Sequence, residues 1–130
     1  MAWRPRKCQG GAVKAIETVT LYRPVGPEEL ELIRQSEFRA FPPRPSEQPF
    51  FYSVPAEAYA SRVARNLSTK TKRAVSVSRF LVRKSFLDGY EVQDVGGPQG
   101  WEYWIPAEDL TALNRNIVGL IEITARFPLT

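Results

Sequence analysis

The chain has 130 residues, 43% of them hydrophobic and 25% charged, with a formal net charge of +4. That is the balance of one soluble globular domain rather than of a disordered or fibrous chain. It has no histidine and a single cysteine, Cys8, which excludes His-dependent bases, Ser-His and Cys-His nucleophilic pairs, His-ligated zinc and an internal disulfide.

Residues 1–17 carry Arg4, Arg6, Lys7 and Lys14 against Glu17, have no apolar periodicity and contain Gly10-Gly11. They read as a flexible basic tail before a single domain, 18–130. Thr18 to Arg23 is β-branched and aromatic and predicts a first strand ending at Pro24. Gly26-Pro27-Glu28-Glu29 then opens a helix, with proline at its first position and acids in its first turn. Leu30 and Ile33 continue its apolar side to about Ser36. Phe41 to Pro49 holds Pro42, Pro43, Pro45 and Pro49 and predicts an extended loop.

Phe50 to Val54 predicts a short second strand. A second helix follows from Pro55 to about Asn66, with Tyr59 and Val63 at i, i+4 spacing, and then a polar link from Ser68 to Arg73. Ala74 to Arg83 predicts a strand whose apolar alternation changes phase, which suggests a bulge near Ser78-Arg79. Further strands are expected at Tyr90 to Val95, Trp101 to Ile105 and Asn116 to Phe127. A glycine-rich turn, Gly96 to Gly100, precedes Trp101, and a short helix follows Pro106. The order is an α+β layout, with helices in the first half and a largely antiparallel sheet system. The glycine cluster lacks G-x-G-x-x-G and leads into a strand, so a Rossmann unit is not expected.

The longest nearly apolar stretch, Ile117 to Ile123, contains Glu122 and falls far short of the ~20 residues of a spanning helix. Met1 to Gln9 has cations where a secretory signal would be apolar. The expectation is a cytoplasmic protein with no membrane contact. The body is nearly neutral but blocked in charge. Arg62 to Lys84 holds eight cations and no acid, and Asp88 to Asp109 holds six acids and no cation. A phosphate-binding face on Arg62, Arg65, Lys70, Lys72 and Arg73 is one reading of the basic block, and a solvated helix face is the other. Phe80 is the only aromatic in the block, with Phe86 just past its end, too few to interleave with its cations as a stacking surface requires. No nucleic-acid partner is expected on that ground.

Three features can carry chemistry. Arg23, at a strand end with Leu21 and Tyr22, can fork to a phosphate or carboxylate, or can be a surface arginine. Phe51-Tyr52-Ser53 lies where a strand meets a helix, as a binding motif or as plain core. Glu102 sits among Trp101, Tyr103 and Trp104, an apolar setting that is costly for a carboxylate without a partner or a task. Glu122 is a rival acid, on a face shared with Thr124 and Arg126.

This order of arginine, strand-to-helix aromatic and hydroxyl residues, and late glutamate resembles the ADP-ribosyltransferase fold. More narrowly, Leu21 to Phe127 is similar to a family of short bacterial proteins under an ADP-ribosylation/crystallin heading. The similarity runs through Leu21 to Gly26, Phe38 to Arg44, Glu102 to Leu110 and Asn116 to Glu122. The resemblance implies split, mainly antiparallel sheets and a mono-ADP-ribosyltransferase or NAD glycohydrolase acting on NAD as substrate, with an unidentified macromolecular acceptor. It implies that Arg23, with Tyr22 beside it, holds the pyrophosphate or nicotinamide ribose, and that Tyr52 and Ser53 line the nicotinamide pocket. Glu102 would stabilise the oxocarbenium-like ribose. Two departures stand out: the second strand lacks a full Ser-Thr-Ser motif, and Gly100 stands where many arginine-modifying relatives carry Glu or Gln. An interaction or toxin-like module that keeps the fold without chemistry is the alternative.

Overall fold

The computed structural model covers residues 17–43, 49–90, 92–94 and 101–128. The expected tail up to residue 16 and the glycine-rich turn lie outside the described residues. The elements run β1 (Thr18–Val25), α1 (Pro27–Gln35), β2 (Phe50–Ser53), α2 (Glu57–Thr71), β3 (Val75–Arg83), α3 (Lys84–Leu87), β4 (Val92–Asp94), β5 (Trp101–Pro106), a 3-10 turn (Ala107–Asp109), α4 (Leu110–Arg115) and β6 (Ile117–Phe127). Two antiparallel three-stranded sheets form, in the orders β1-β3-β6 and β2-β5-β4. The architecture is α+β, with its two longer helices in the first half of the chain.

Among the described residues the backbones of the two sheets join at one bridge, where Tyr22 and Val54 exchange hydrogen bonds of 2.7 and 2.9 Å. On an antiparallel ladder the next residue of β1 to offer an N–H in that direction is two positions on. That residue is Pro24, which has no N–H. The ladder therefore stops, and β1 and β2 diverge. Expectation ended the first strand at Pro24, but β1 continues to Val25. Pro24 keeps its place opposite Val77 of β3, and its missing donor faces the opening.

β3 also departs from expectation. Its pairing with β1 is regular from Arg83 to Ser76, so β3 itself carries no bulge. The irregularities lie in its ladder with β6, at Val77/Ser78 and Arg79/Leu81, and the extra residues belong to β6, where Gly119 takes φ +82°. The apparent phase change has another cause. Both faces of β3 are covered. Phe80 and Val82 pack with Leu21, Val25, Ile33, Phe41, Phe51 and Ile105 on one side, while Val75 and Val77 pack with Ala60, Ala64 and Phe127 beneath α2 on the other.

α2 runs to Thr71, past its expected end near Asn66. No glycine or proline interrupts 56–73, Ser68 is buried, and the Thr71 hydroxyl donates to the Leu67 carbonyl at 2.7 Å. Lys72 ends the helix in a left-handed conformation, φ 58°. The described start of the loop after α1 is pinned at Phe41. Asn114 clamps the Phe41 backbone from both sides, accepting from its N–H at 2.9 Å and donating to its carbonyl at 3.0 Å. The Phe41 ring then packs edge-on to Phe51 and Phe80, each at 4.8 Å.

Beside the 3-10 turn, Tyr90 donates its phenol proton to Asp109 at 2.7 Å. Burial, then that hydrogen bond and the Asp109 charge, push the Tyr90 phenol up to about 12 from an ordinary 10.0. The folded chain thus keeps a proton that the unfolded chain releases earlier. The contribution is intact below pH 10 and is lost as pH rises toward 12. Urea titrations across this window are expected to show stability falling as the phenol ionises. Tyr90→Phe has no phenol proton to release, so its profile should be flatter there; an equally steep profile would assign the loss to other groups.

Candidate functional site

A cavity of about 250 Å³ opens where the sheets diverge, lined by Arg23, Pro24, Tyr52, Ser53 and Val54, by the α2 residues Tyr59, Ala60, Val63 and Leu67, and by Glu102. β1, β2 and β5 meet here because Pro24 ends the bridge. α2 covers the opening, and Ala60 and Val63 leave room above the strands. Four of the residues singled out in the sequence, Arg23, Tyr52, Ser53 and Glu102, line this one cavity. Tyr22 does not line it. Its backbone forms the bridge and its ring packs in the cluster beneath α2.

Arg23 is only 6% exposed. Its Nε and Nη2 donate to the Glu29 carboxylate at 2.8 and 3.0 Å, and Nη1 donates to the Tyr52 carbonyl at 2.9 Å. The guanidinium lies 4.3 Å from the centroid of the Phe51 ring. In register, the Tyr52 carbonyl faces Pro24, which cannot donate to it, and the arginine supplies the missing donor. Arg23 thereby ties β1, β2 and α1 together at the split. Its charge is balanced by Glu29, so an anion arriving in the cavity meets a pinned and partly neutralised guanidinium.

Glu102 is half-buried and held at both oxygens. The Tyr59 hydroxyl donates to Oε2 and the Trp104 indole N–H to Oε1, each at 2.8 Å. Trp104 follows at i+2 on β5 and so shares the face of Glu102. Both partners are neutral, so they fix the carboxylate without cancelling its charge. Burial, then the hydrogen bond to Glu102 and its charge, raise the Tyr59 phenol above its ordinary value, while Arg62 opposes this weakly. Tyr59 therefore remains a donor throughout the physiological range.

Ser53 is 1% exposed, and its hydroxyl has no hydrogen-bond partner among the described residues. An orphaned buried hydroxyl is costly; Ser53 borders the cavity, but its side chain shares a face of β2 with Phe51, opposite Tyr52, Trp104 and Glu102, and its oxygen has almost no accessible surface. Tyr52, 41% exposed, meets Trp104 edge-on across the β2–β5 pair, with centroids 5.2 Å apart. The cavity thus combines a pinned cation, a carboxylate held by neutral donors and aromatic walls, with an unsatisfied hydroxyl buried beside it.

Glu122 lies elsewhere, on the exposed face of β6, ion-paired with Arg79. Sequence reasoning missed Glu29 as the partner of Arg23, and Tyr59 and Trp104 as the holders of Glu102. Among the described residues no group of three or more acidic or cysteine side chains forms that could hold a metal ion, and no helix is long and apolar enough to cross a membrane. Comparison with protein-family models, with curated proteins and with solved structures finds no match for this chain.

Proposed function

We propose that the cavity receives the nicotinamide end of NAD and that the chain is an ADP-ribosyltransferase-like domain that breaks the nicotinamide–ribose bond. The carrying observation is Glu102, an anion fixed by two neutral donors on the wall of the cavity that also holds Arg23 and Ser53. The cavity is smaller than the ~300–1,000 Å³ of sites that swallow a whole ligand. It suits one ring and its ribose, with the rest of the dinucleotide outside. As the glycosidic bond breaks, its electron pair leaves with the ring nitrogen, the cationic ring becomes neutral nicotinamide, and positive charge moves to the ribose. Glu102 faces that charge, and a fixed anion lowers the barrier. An acceptor nucleophile, or water, then attacks the anomeric carbon and releases its proton. Tyr52 and Ser53 line the nicotinamide site, and Arg23 offers its remaining Nη protons while holding the strands in place. The sheet split and the chain order of Arg23, Ser53 and Glu102 support this reading and its ADP-ribosyltransferase-like fold.

One observation favours a second reading, an interaction module without chemistry: the charge of Arg23 is already matched by Glu29. Incubation with NAD labelled in its adenosine half separates the two. Release of free nicotinamide, with label on a macromolecule or as free ADP-ribose, is the expected result. Binding without release would leave the non-catalytic reading, and neither binding nor release would end the NAD proposal.

A further inference from the structure

The basic block of the sequence takes a definite shape on α2. Arg62, Arg65, Thr69 and Lys72 follow one another at spacings of three and four residues, and all are exposed. Arg62, Arg65 and Thr69 therefore form one stripe along the helix, which Lys72 extends from the C-cap. The stripe spans about 15 Å at 1.5 Å per residue. At its far end lies a cavity of about 510 Å³ lined by Ser68, Thr69, Lys72, Arg73 and Arg126, among others. A smaller cavity of about 230 Å³ adjoins it, sharing Ser68 and Thr69 and adding Arg65 and Phe127. Together they make a continuous groove in which, among the described residues, no acidic side chain is a lining residue. Of its cations, Arg73 is paired with Glu28 of α1.

The sequence argued against a nucleic-acid surface because the block holds too few aromatics. The fold changes that premise. Two rings from outside the block lie under its arginines: the Arg62 guanidinium is 5.2 Å from the Tyr59 ring centroid, and that of Arg65 is 5.2 Å from Phe127. Each guanidinium is steadied by a ring, leaving N–H groups for phosphates and a planar surface on which a base can stack. Cations at a helix C-terminus also offset its dipole. That accounts for Lys70 and Lys72, but not for Arg62 and Arg65 further back on α2, nor for Arg126, which comes from β6.

We propose that this groove binds the phosphate backbone of a single-stranded nucleic acid. A lone phosphate would need only the cavity at Lys72 and Arg126, whereas the stripe extends the cationic surface over several phosphate spacings. Its concavity suits a strand rather than a flat lipid surface, and the Thr69 and Ser68 hydroxyls add neutral donors to the phosphate oxygens. The stripe, at its Arg62 end, comes beside the Glu102 cavity, since Tyr59 carries Arg62 against its ring and Glu102 on its hydroxyl. Binding of a strand is independent of any NAD chemistry and is tested without NAD.

The test is fluorescence anisotropy with labelled single-stranded RNA and DNA of about 12 nucleotides. Affinity is expected to fall steeply with salt, by about 0.7 logarithmic unit per unit of log salt for each phosphate contact. Lys72→Gln and Arg126→Gln, which disturb no ring contact, should each flatten that slope by about 0.7. Combining them with Arg62→Gln and Arg65→Gln should weaken binding by about 100-fold or more at low salt, the scale of four lost contacts. Lys84→Gln, on a lysine paired with Asp88 away from the groove, should leave the slope unchanged. Thermal melts of each variant check folding. Absence of binding at low salt, binding indifferent to the groove variants, or binding of anionic vesicles in place of oligonucleotides would each overturn the proposal.

Discussion

Replacing Arg23 by alanine is expected to destabilise the domain by roughly 3–5 kcal/mol, the scale for breaking a buried ion pair from one side. Against a total of about 5–15 kcal/mol for a domain of this kind, that is a large share. The guanidinium makes three hydrogen bonds and lies against the Phe51 ring. Its loss takes the counter-charge from Glu29, the donor from the Tyr52 carbonyl and the cover from Phe51 together. Arg23→Lys should not rescue it, because a point-charge ammonium cannot fork to a carboxylate and reach a carbonyl at the same time. Urea unfolding provides the measurement, with a lowered midpoint and an unchanged slope as the expected pattern. A loss under about 1 kcal/mol would mean that the guanidinium is not pinned in solution. A fall in NAD binding by Arg23→Ala is therefore informative only beside a stability measurement, since the residue shapes the cavity as well as lining it.

How far the sequence could be read depended on whether a signal was local. α1 was legible because Pro27, Glu28 and Glu29 mark a helix start in consecutive positions. Glu102 was legible because a carboxylate among aromatics is conspicuous at any fold, and its holder Trp104 could have been found from strand alternation alone. Pro24 was visible but misjudged. A proline in a strand reads as a stop, whereas here only its missing N–H matters, and that faces the sheet split. The end of α2 was lost because Ser68 and Thr71 look like loop residues until burial and a hydroxyl-to-carbonyl bond commit them to the helix. Three pairings could not be read at all. Glu29 reaches Arg23 only because the chain reverses at Gly26, Tyr59 reaches Glu102 only through the placement of α2 over the split, and Phe127 reaches Arg65 only through β6. Each depends on tertiary geometry that no local pattern carries.

Glu102→Gln is expected to reduce nicotinamide release by about 100-fold or more, the usual loss when one electrostatic contact to the transition state is removed. The substitution removes charge and little else. A glutamine oxygen can still accept from the Trp104 indole, and its amide nitrogen can donate to the Tyr59 hydroxyl, which accepts as readily as it donates. The fold and the cavity should therefore survive, and dinucleotide affinity should change little, because the ribose acquires its positive charge only as the bond breaks. The loss should fall on kcat and not on KM, the signature of an interaction made in the transition state. Tyr59→Phe offers the complementary test. It leaves the charge but frees one carboxylate oxygen to turn, so its effect should be in the same direction and smaller. Full turnover in Glu102→Gln would remove Glu102 from the reaction. A loss carried wholly by KM would make the carboxylate a ground-state contact. A deep loss in Tyr59→Phe with little in Glu102→Gln would shift the chemistry to the phenol. The expected order, Glu102→Gln well below Tyr59→Phe and both below the parent, follows from a carboxylate whose neutral partners hold it still while leaving its charge to act on the ribose.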